Sequence, residues 1–87
     1  ALDLAIVMAL MSSYKDRPVD PDMLIFGEVG LSGEVRGVSQ AAQRVAEAAK
    51  LGFTTCVLPK VNMDKIKPVE GIRMIGVSNV REAIGLL

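Results

Sequence analysis

Closely spaced glycines divide residues 27–53 into a strand pair followed by a helix. The segment GEVGLSGEVRGV has a glycine every three or four positions and repeats Gly-Glu-Val, which predicts two short strands joined by a tight turn. The alanine-rich segment AAQRVAEAAK then predicts a helix over 40–51, with Ser39 as its N-cap and Gly52 as its C-terminal stop. Small residues that let a helix lie close against a sheet form its predicted apolar stripe, Ala42, Val45, Ala46 and Ala49.

The rest of the chain alternates between helix and strand patterns. The predicted strands are 23–29, 33–38, 54–58 and 72–77, and the predicted helices are 2–14, 40–51, 61–67 and from 79 onward. This order, α-β-β-α-β-α-β-α, is typical of an α/β fold (an α+β mixed sheet) in which parallel βαβ units follow a β-hairpin. The first helix is apolar almost all round, so we expect it to be covered on several sides. Asn62 is the predicted N-cap of the third helix, and Asn79 with Glu82 forms a predicted capping box for the last.

The composition bounds the size and chemistry of the molecule. Eighty-seven residues predict one small domain with an aliphatic core, since 51% of them are hydrophobic and only 3% are aromatic. The sequence contains no histidine, which excludes a Ser-His-Asp triad and the commonest metal ligand, and no metal site is predicted. The single Cys56 lies in a β-branched strand, where we expect it to pack as a small core residue. A lone cysteine fits a reducing compartment.

Opposite charges balance over the whole chain but are separated along it. Residues 1–34 hold two basic and six acidic residues, a net charge of −4, whereas residues 35–87 hold eight basic and four acidic residues, a net charge of +4. The neutral total argues against a uniformly basic nucleic-acid binder. The separation nevertheless allows one basic face, or head-to-tail stacking of copies in an oligomer.

The hairpin itself shows no catalytic or phosphate-binding pattern. Its glycines lack the GxGxxG or GxxxxGK[ST] spacing and stand between two strands, so they do not predict a phosphate loop. Glu28 and Glu34 follow glycines at the hairpin ends. We expect them to be solvated or bonded to the backbone, because no second catalytic group accompanies them.

The apolar opening ALDLAIVMALM predicts a core helix rather than a membrane segment. Eleven residues interrupted by Asp3 are too few to span a bilayer, and the segment lacks the basic start of a signal peptide. No membrane partner and a cytoplasmic location are therefore predicted. The sequence begins without methionine and within a helix pattern, so we expect it to be part of a longer protein.

Nearly the whole sequence resembles one bacterial family. Residues 12–62, SSYKDRPVDPDMLIFGEVGLSGEVRGVSQAAQRVAEAAKLGFTTCVLPKVN, and the later GIRMIGVSNVREAI are similar to the C-terminal Lon-protease-like domain of the RadA (Sms) family of DNA repair proteins. The resemblance implies that residues 1–87 form a single partial Lon-like domain, separate from the zinc ribbon and RecA-like ATPase modules of that family. Zinc, ATP and magnesium would belong to those modules, with no cofactor in this domain. It also implies a hexameric ring that acts on single-stranded or branched DNA.

The resemblance also locates the protease chemistry. Lon proteases use a serine–lysine dyad, in which burial lowers the pKa of the lysine so that it can take the serine proton. The serine position falls on Ala1 and the lysine position on Ala42. Since a methyl group supplies neither a nucleophile nor a base, the resemblance implies a protease-like domain without peptidase activity.

The leading hypothesis is a non-catalytic module that supports oligomer formation and contacts DNA in a RadA-type repair and recombination ATPase. Lysine and arginine side chains can neutralise phosphates without reading the base sequence. The candidate DNA-binding residues are Arg36, Arg44, Lys50, Lys60, Lys65 and Lys67.

Two other functions remain open. An ATP-dependent serine peptidase of the Lon type would need a relocated dyad, Ser32 or Ser39 with Lys50 or Lys60. The two serines are better explained as a turn residue and a helix cap. A protein–protein scaffold without DNA contact would show an apolar surface patch in place of a basic one. A partial domain is also expected to leave a sheet edge or an apolar surface uncovered, and so to dimerise.

Overall fold

The computed structural model describes residues 2–87, and Ala1 lies outside the described part of the chain. The strands are β1 (Leu2–Asp3), β2 (Met23–Ile25), β3 (Glu28–Val29), β4 (Val35–Arg36), β5 (Thr55–Pro59) and β6 (Arg73–Val77). The helices are α1 (Leu4–Lys15), α2 (Ala41–Lys50), α3 (Lys60–Met63) and α4 (Val80–Ile84). The strands form two small sheets, β1-β3-β4 and β2-β5-β6. The predicted α/β class is confirmed. The observed order, β-α-β-β-β-α-β-α-β-α, contains two more strands than the predicted order.

β5 and β6 form the parallel pair that the sequence predicts after the hairpin, and β2, which precedes the hairpin, joins them in the same sheet. β5 lies in the middle and runs parallel to both neighbours, with Cys56 opposite Leu24 and Met74. All five residues of β5 are buried, as expected for a strand that is covered on both faces. Successive side chains point to opposite faces, so Val57 belongs to one apolar cluster and Leu58 to the other.

Two helical layers cover this sheet. α1 and α4 lie on the side of Val57, where Leu4, Met8 and Ala83 are fully buried. α2 and α3 lie on the opposite side, where α2 buries Ala41, Val45 and Ala48. We call residues 3–22 with 78–87 the α1/α4 layer, and residues 40–71 without β5 the α2/α3 layer.

The predicted strand at 23–29 is in fact two strands that belong to different sheets. The chain leaves β2 and enters β3 at Gly27, whose φ is +152°. A side chain is disfavoured at this position because a Cβ would lie 3.2 Å from Val35 Cγ1 and 3.3 Å from Leu4 Cδ2. The continuous apolar run conceals the change of sheet, since both strands place side chains against the apolar clusters and only pairing with distant residues assigns them to different sheets.

The start of the predicted first helix is also a strand. Residues Leu2–Asp3 pair antiparallel with β3, and α1 begins at Leu4. The Asp3 carboxylate accepts hydrogen bonds from the backbone N–H groups of Ala5 at 2.8 Å and Ile6 at 3.3 Å. Asp3 therefore caps the helix, which explains why the helix begins after it.

Within residues 2–87, α1 packs against the sheet and α4, and its outer side is uncovered. On the outer side Ile6, Leu10 and Tyr14 are 58%, 66% and 85% exposed. They recur every fourth residue and form, together with the exposed Leu2, one apolar stripe that we call the α1 stripe. The prediction that this helix is covered on several sides is wrong for the described residues. No helix among them is long and apolar enough to cross a membrane.

α2 begins without the predicted cap. Its N-cap is Gln40, with φ +58° and no side-chain hydrogen bond to the helix, so the prediction of Ser39 is wrong. The predicted stop is confirmed: Gly52 has φ +97°, and the N–H of Phe53 donates to the carbonyl of Ala48 at 3.0 Å. The start of α2 is thus not fixed by a local side chain.

The hairpin of β3 and β4 is bonded to the start of α4. The N–H of Val35 donates to the carbonyl of Ser78, and the N–H of Val80 donates to the carbonyl of Gly33, both at 2.8 Å. Asn79 accepts the N–H of Glu82 at 2.9 Å, as the predicted capping box requires. The reciprocal bond comes from the N–H of Ser78, one residue earlier than predicted.

Candidate nucleic-acid interface

Asn62 joins α3 to the connection between β4 and α2. Its Oδ1 accepts a hydrogen bond from the N–H of Val38 at 2.9 Å, and its Nδ2 donates one to the carbonyl of Val38 at 3.0 Å. One side-chain amide therefore satisfies both polar groups of a backbone residue, as a neighbouring strand would. The prediction that Asn62 is an N-cap is wrong, because the cap position of α3 is Pro59.

Two glycines make room for α3. A Cβ on Gly37 would lie 3.0 Å from Val61 Cγ2, and a Cβ on Gly76 of β6 would lie 3.0 Å from Met63 Cε and 3.1 Å from the Cα of Lys60. The short helix is therefore in close contact with β6 on one side and with residues 37–38 on the other. This packing fixes the backbone from which Lys60 extends.

A cleft of about 500 Å³ lies between β1, β3 and the start of α2. Its lining residues are Leu2, Asp3, Gly27, Glu28, Val38 and Arg44. Among residues 2–87 no serine, cysteine or lysine lines this cleft. Ala42 is exposed in the first turn of α2, and Ala1 lies outside the described residues.

The buried face of α2 differs from the predicted stripe. Val45 is fully buried as predicted, and Ala49 packs partly against the same cluster. Ala41 and Ala48 take the remaining buried positions, whereas Ala42 is turned outward. The inclusion of Ala42 in the stripe is therefore wrong, because the helix lies on the sheet one residue out of the expected phase.

The two serines considered for a relocated dyad lie in different connections, Ser32 between β3 and β4 and Ser39 between β4 and α2. Ser32 lines a second cleft of about 450 Å³, together with Gly33, Asn79, Val80 and Arg81. That cleft has no lysine among its described lining residues. Ser39 is exposed in the connection before α2.

All six predicted DNA-binding residues are exposed. The α2/α3 layer carries five of them, which are Arg44, Lys50, Lys60, Lys65 and Lys67. The sixth, Arg36, ends β4 immediately before the Gly37–Val38 segment that α3 contacts. The fold thus brings these bases to the α2/α3 layer and to the region beside it. We call β3, β4, residues 37–44 and α3 the corner.

The two arginines among these six bases each have a defined partner. Arg36 Nη2 lies 3.1 Å from Glu34 Oε2, and hydrogen bonding first to its own backbone N–H and then to Arg36 lowers the pKa of the Glu34 carboxyl. Arg44 lies over the ring of buried Phe26, with Cζ 5.3 Å from the ring centroid. This contact holds the guanidinium by a cation–π interaction while its outer side remains exposed.

The two helical layers carry opposite net charges. The α2/α3 layer holds five basic and three acidic residues, a net charge of +2. The α1/α4 layer holds three basic and five acidic residues, a net charge of −2. The charge separation along the sequence is therefore also a difference between the residues of the two layers, and the excess acid of the α1/α4 layer lies in its connection 16–22.

The remaining chemical groups are structural within the described residues. Burial raises the pKa of the Cys56 thiol to about 11, so it is protonated at neutral pH and packs in the core as predicted. Glu34 accepts the backbone N–H of Ser32 at 3.0 Å, as expected for a glutamate that binds backbone in a turn. No group of three or more acidic, cysteine or histidine side chains in residues 2–87 is placed to hold a metal ion.

Comparison with known proteins identifies the family. A family model described as subunit ChlI of Mg-chelatase matches residues 1–62. The chain belongs to this family. Curated relatives named DNA repair protein RadA match 97% of the chain, at 52% identity in Bacillus subtilis, 45% in Streptococcus pneumoniae and 43% in Escherichia coli. The resemblance to RadA seen in the sequence is confirmed.

The similarity to these relatives is confined to one part of them. The chain spans about a fifth of their length, 18% of the Bacillus subtilis protein and 20% of the Streptococcus pneumoniae protein. The matched part is thus a partial RadA domain within the ChlI family.

Two features of this surface were missed in the sequence. Asn62 and Val38 are 24 residues apart, so no local pattern predicts their contact. Phe26 and Arg44 are likewise brought together only because β2 and α2 meet across one cluster. The one available signal for the first was Gly37, which stands where a side chain would collide with α3.

Proposed function

We propose that this chain is a non-catalytic, DNA-contacting module of a RadA-type DNA repair protein, with a Lon-protease-like fold. The RadA relatives support this proposal more fully than the Mg-chelatase description does, because their match covers 97% of the chain, whereas the family model matches residues 1–62. In the full-length protein, a zinc ribbon and a RecA-like ATPase would hold zinc, ATP and magnesium. The protein would form a hexameric ring on single-stranded or branched DNA in the cytoplasm.

The observation that carries the DNA proposal is the opposite charge of the two helical layers. A basic α2/α3 layer attracts the phosphate backbone, and the acidic α1/α4 layer repels it, so the domain would bind DNA in one orientation. The bases are exposed, and Arg36 is the one base among residues 2–87 with a carboxylate within salt-bridge distance. The others keep their charge available for phosphates.

The lining of the cleft between β1, β3 and the start of α2 supports a role without peptide hydrolysis. Acyl transfer requires an activated nucleophile and a base within hydrogen-bond reach. The described lining offers the carboxylates of Asp3 and Glu28 and the guanidinium of Arg44, and Ala42 in the first turn of α2 ends in a methyl group. We expect no turnover of fluorescent casein by the full-length protein. Turnover abolished by an alanine change at Ser32 or Ser39 would restore the peptidase alternative.

A pair of charge reversals tests the DNA contact. Changing Arg44→Glu with Lys50→Glu in the full-length protein should weaken binding to single-stranded DNA by more than about tenfold at low salt, because two bases of the α2/α3 layer become acids. The matched control is Lys15→Glu with Arg17→Glu, which makes the same charge change on the α1/α4 layer. An equal loss in both variants would contradict a preferred layer, and no loss in the first would remove this patch from the function.

The α1 stripe supports a second role in oligomer formation. Three exposed apolar side chains at four-residue spacing on one helix face, with exposed Leu2 of β1 before them, are typical of a protein contact surface. In the isolated 87-residue chain, the available partner is a second copy, so we expect a dimer by sedimentation velocity. Ile6→Ser with Leu10→Ser should yield a monomer of unchanged helix content, since both residues are exposed. A clean monomer of the unmodified chain at high concentration would contradict this role.

A further inference from the structure

Asn62 makes the long-range polar connections of this molecule. Its two bonds to Val38 span 24 residues, whereas every other side-chain hydrogen bond within residues 2–87 joins residues no more than five positions apart. The amide is partly buried, so water competes with it less than with a surface group. A contact of this kind fixes the relative position of two segments rather than the shape of one.

The two segments that Asn62 joins both carry candidate phosphate contacts. Asn62 lies in α3, two residues after Lys60 and three before Lys65. Val38 lies two residues after Arg36 and leads into α2, which carries Arg44. α2 begins without a side-chain cap, and α3 is only four residues long with no side-chain cap of its own. Neither helix has a side-chain cap, so the amide bridge adds a directional constraint to the packing of α2 and α3.

We propose that Asn62 is a positioning residue for DNA: it holds Lys60 of α3, with Lys65 just beyond the helix, and the arginines of the corner in one fixed arrangement that matches successive phosphates. The inference rests on the proposed function, since it assumes that these bases contact DNA. Preorganisation lowers the cost of ordering side chains on binding, so the same charges bind more tightly when their backbones are held. Gly37 and Gly76 contribute by allowing α3 to approach both neighbours closely.

The test compares two asparagine substitutions in the full-length protein. Asn62→Ala removes the bridge and changes no charge. Asn79→Ala removes the cap of α4, on the opposite layer, and is matched in residue type and in the loss of a side-chain to backbone bond. Binding of fluorescein-labelled oligo-dT is measured by anisotropy at several salt concentrations, at a temperature where circular dichroism shows both variants to be folded.

We expect Asn62→Ala to weaken binding at low salt by about threefold to tenfold. We also expect its slope of log K against log salt to become shallower by about 0.7 for each phosphate that the variant no longer neutralises. A purely structural role would leave the slope of the folded protein unchanged, as expected for Asn79→Ala. Equal slopes in the two variants, while Lys60→Glu still weakens binding, would overturn the positioning role and leave the DNA proposal intact. Unchanged binding in Lys60→Glu and in the Arg44→Glu, Lys50→Glu variant would overturn both.

Discussion

The parallel sheet and the corner at the start of α2 are stabilised in different ways. β5 is buried along its whole length between two layers of aliphatic side chains, and its neighbours are joined to it by a regular ladder. The corner consists of two-residue strands and a four-residue helix that packs closely on Gly37 and on Gly76 of β6, joined by one asparagine side chain. Apolar attraction between buried side chains does not depend on their exact orientation, whereas the corner depends on a few directional contacts. The exposed bases are carried by the less strongly packed region and by the helix that leads from it.

The largest expected effect of a single substitution lies in the sheet. Leu58→Ala removes a fully buried side chain in the centre of the α2/α3 side and should lower the free energy of unfolding by about 2 to 5 kcal/mol. Urea denaturation of the 87-residue chain measures it. The matched control is Leu31→Ala at the hairpin tip, where the side chain is fully exposed and no comparable loss is expected. Similar losses in both would show that the sheet does not dominate stability.

Cys56 tests the same region through pH. Burial raises its pKa from 9.0 to about 11, so the folded protein retains a proton that the unfolded chain releases. Stability from this group is therefore fully present below pH 9 and is lost as the pH rises towards 11, by on the order of 2 kcal/mol. Denaturation at pH 8 to 11 should show a steeper loss for the unmodified chain than for Cys56→Ala. Parallel profiles would contradict burial of the thiol.

Gly27 tests the junction between the two regions. Gly27→Ala places a methyl group against Val35, Leu4 and Pro59 at a backbone angle that glycine favours, and should cost about 1 to 3 kcal/mol. Gly33→Ala is the comparison, because its φ is also positive but no atom lies within 4 Å of its added Cβ. A loss at Gly27 no greater than that at Gly33 would mean that close packing does not fix the junction.

The smallest effect is expected at the hairpin ion pair. Arg36→Ala removes a partner of Glu34, but both side chains are about half exposed, so water replaces most of the interaction. Hydrogen bonding in the folded chain lowers the pKa of Glu34, so its contribution is present at neutral pH and disappears as the pH falls through that lowered value. Thermal unfolding at pH 7 should hardly distinguish the variant from the unmodified chain. A drop comparable to that of Gly27→Ala would show that the pair organises the hairpin.

Patterns confined to neighbouring residues predicted the fold well. The α/β class, the parallel arrangement of β5 and β6, the burial of Cys56 and the glycine stop of α2 all follow from periodicity, β-branching and glycine positions. The errors occur where a local signal was compatible with two outcomes. The run at 23–29 reads as one strand although the chain changes sheet at Gly27, and Ser39 reads as a cap although Gln40 occupies that position.

The sequence by itself determined the family, the class of fold, the aliphatic core and the exposed character of the six bases, because each depends on residue type and short-range order. Only the tertiary structure decided which bases share a layer, that Phe26 lies under Arg44, and that Asn62 binds Val38. These pairs are separated by 18 and 24 positions, and their contact depends on how helices and strands pack around one sheet. A side chain's chemistry is set by its identity, but its partner is set by the packing of segments that are remote along the chain.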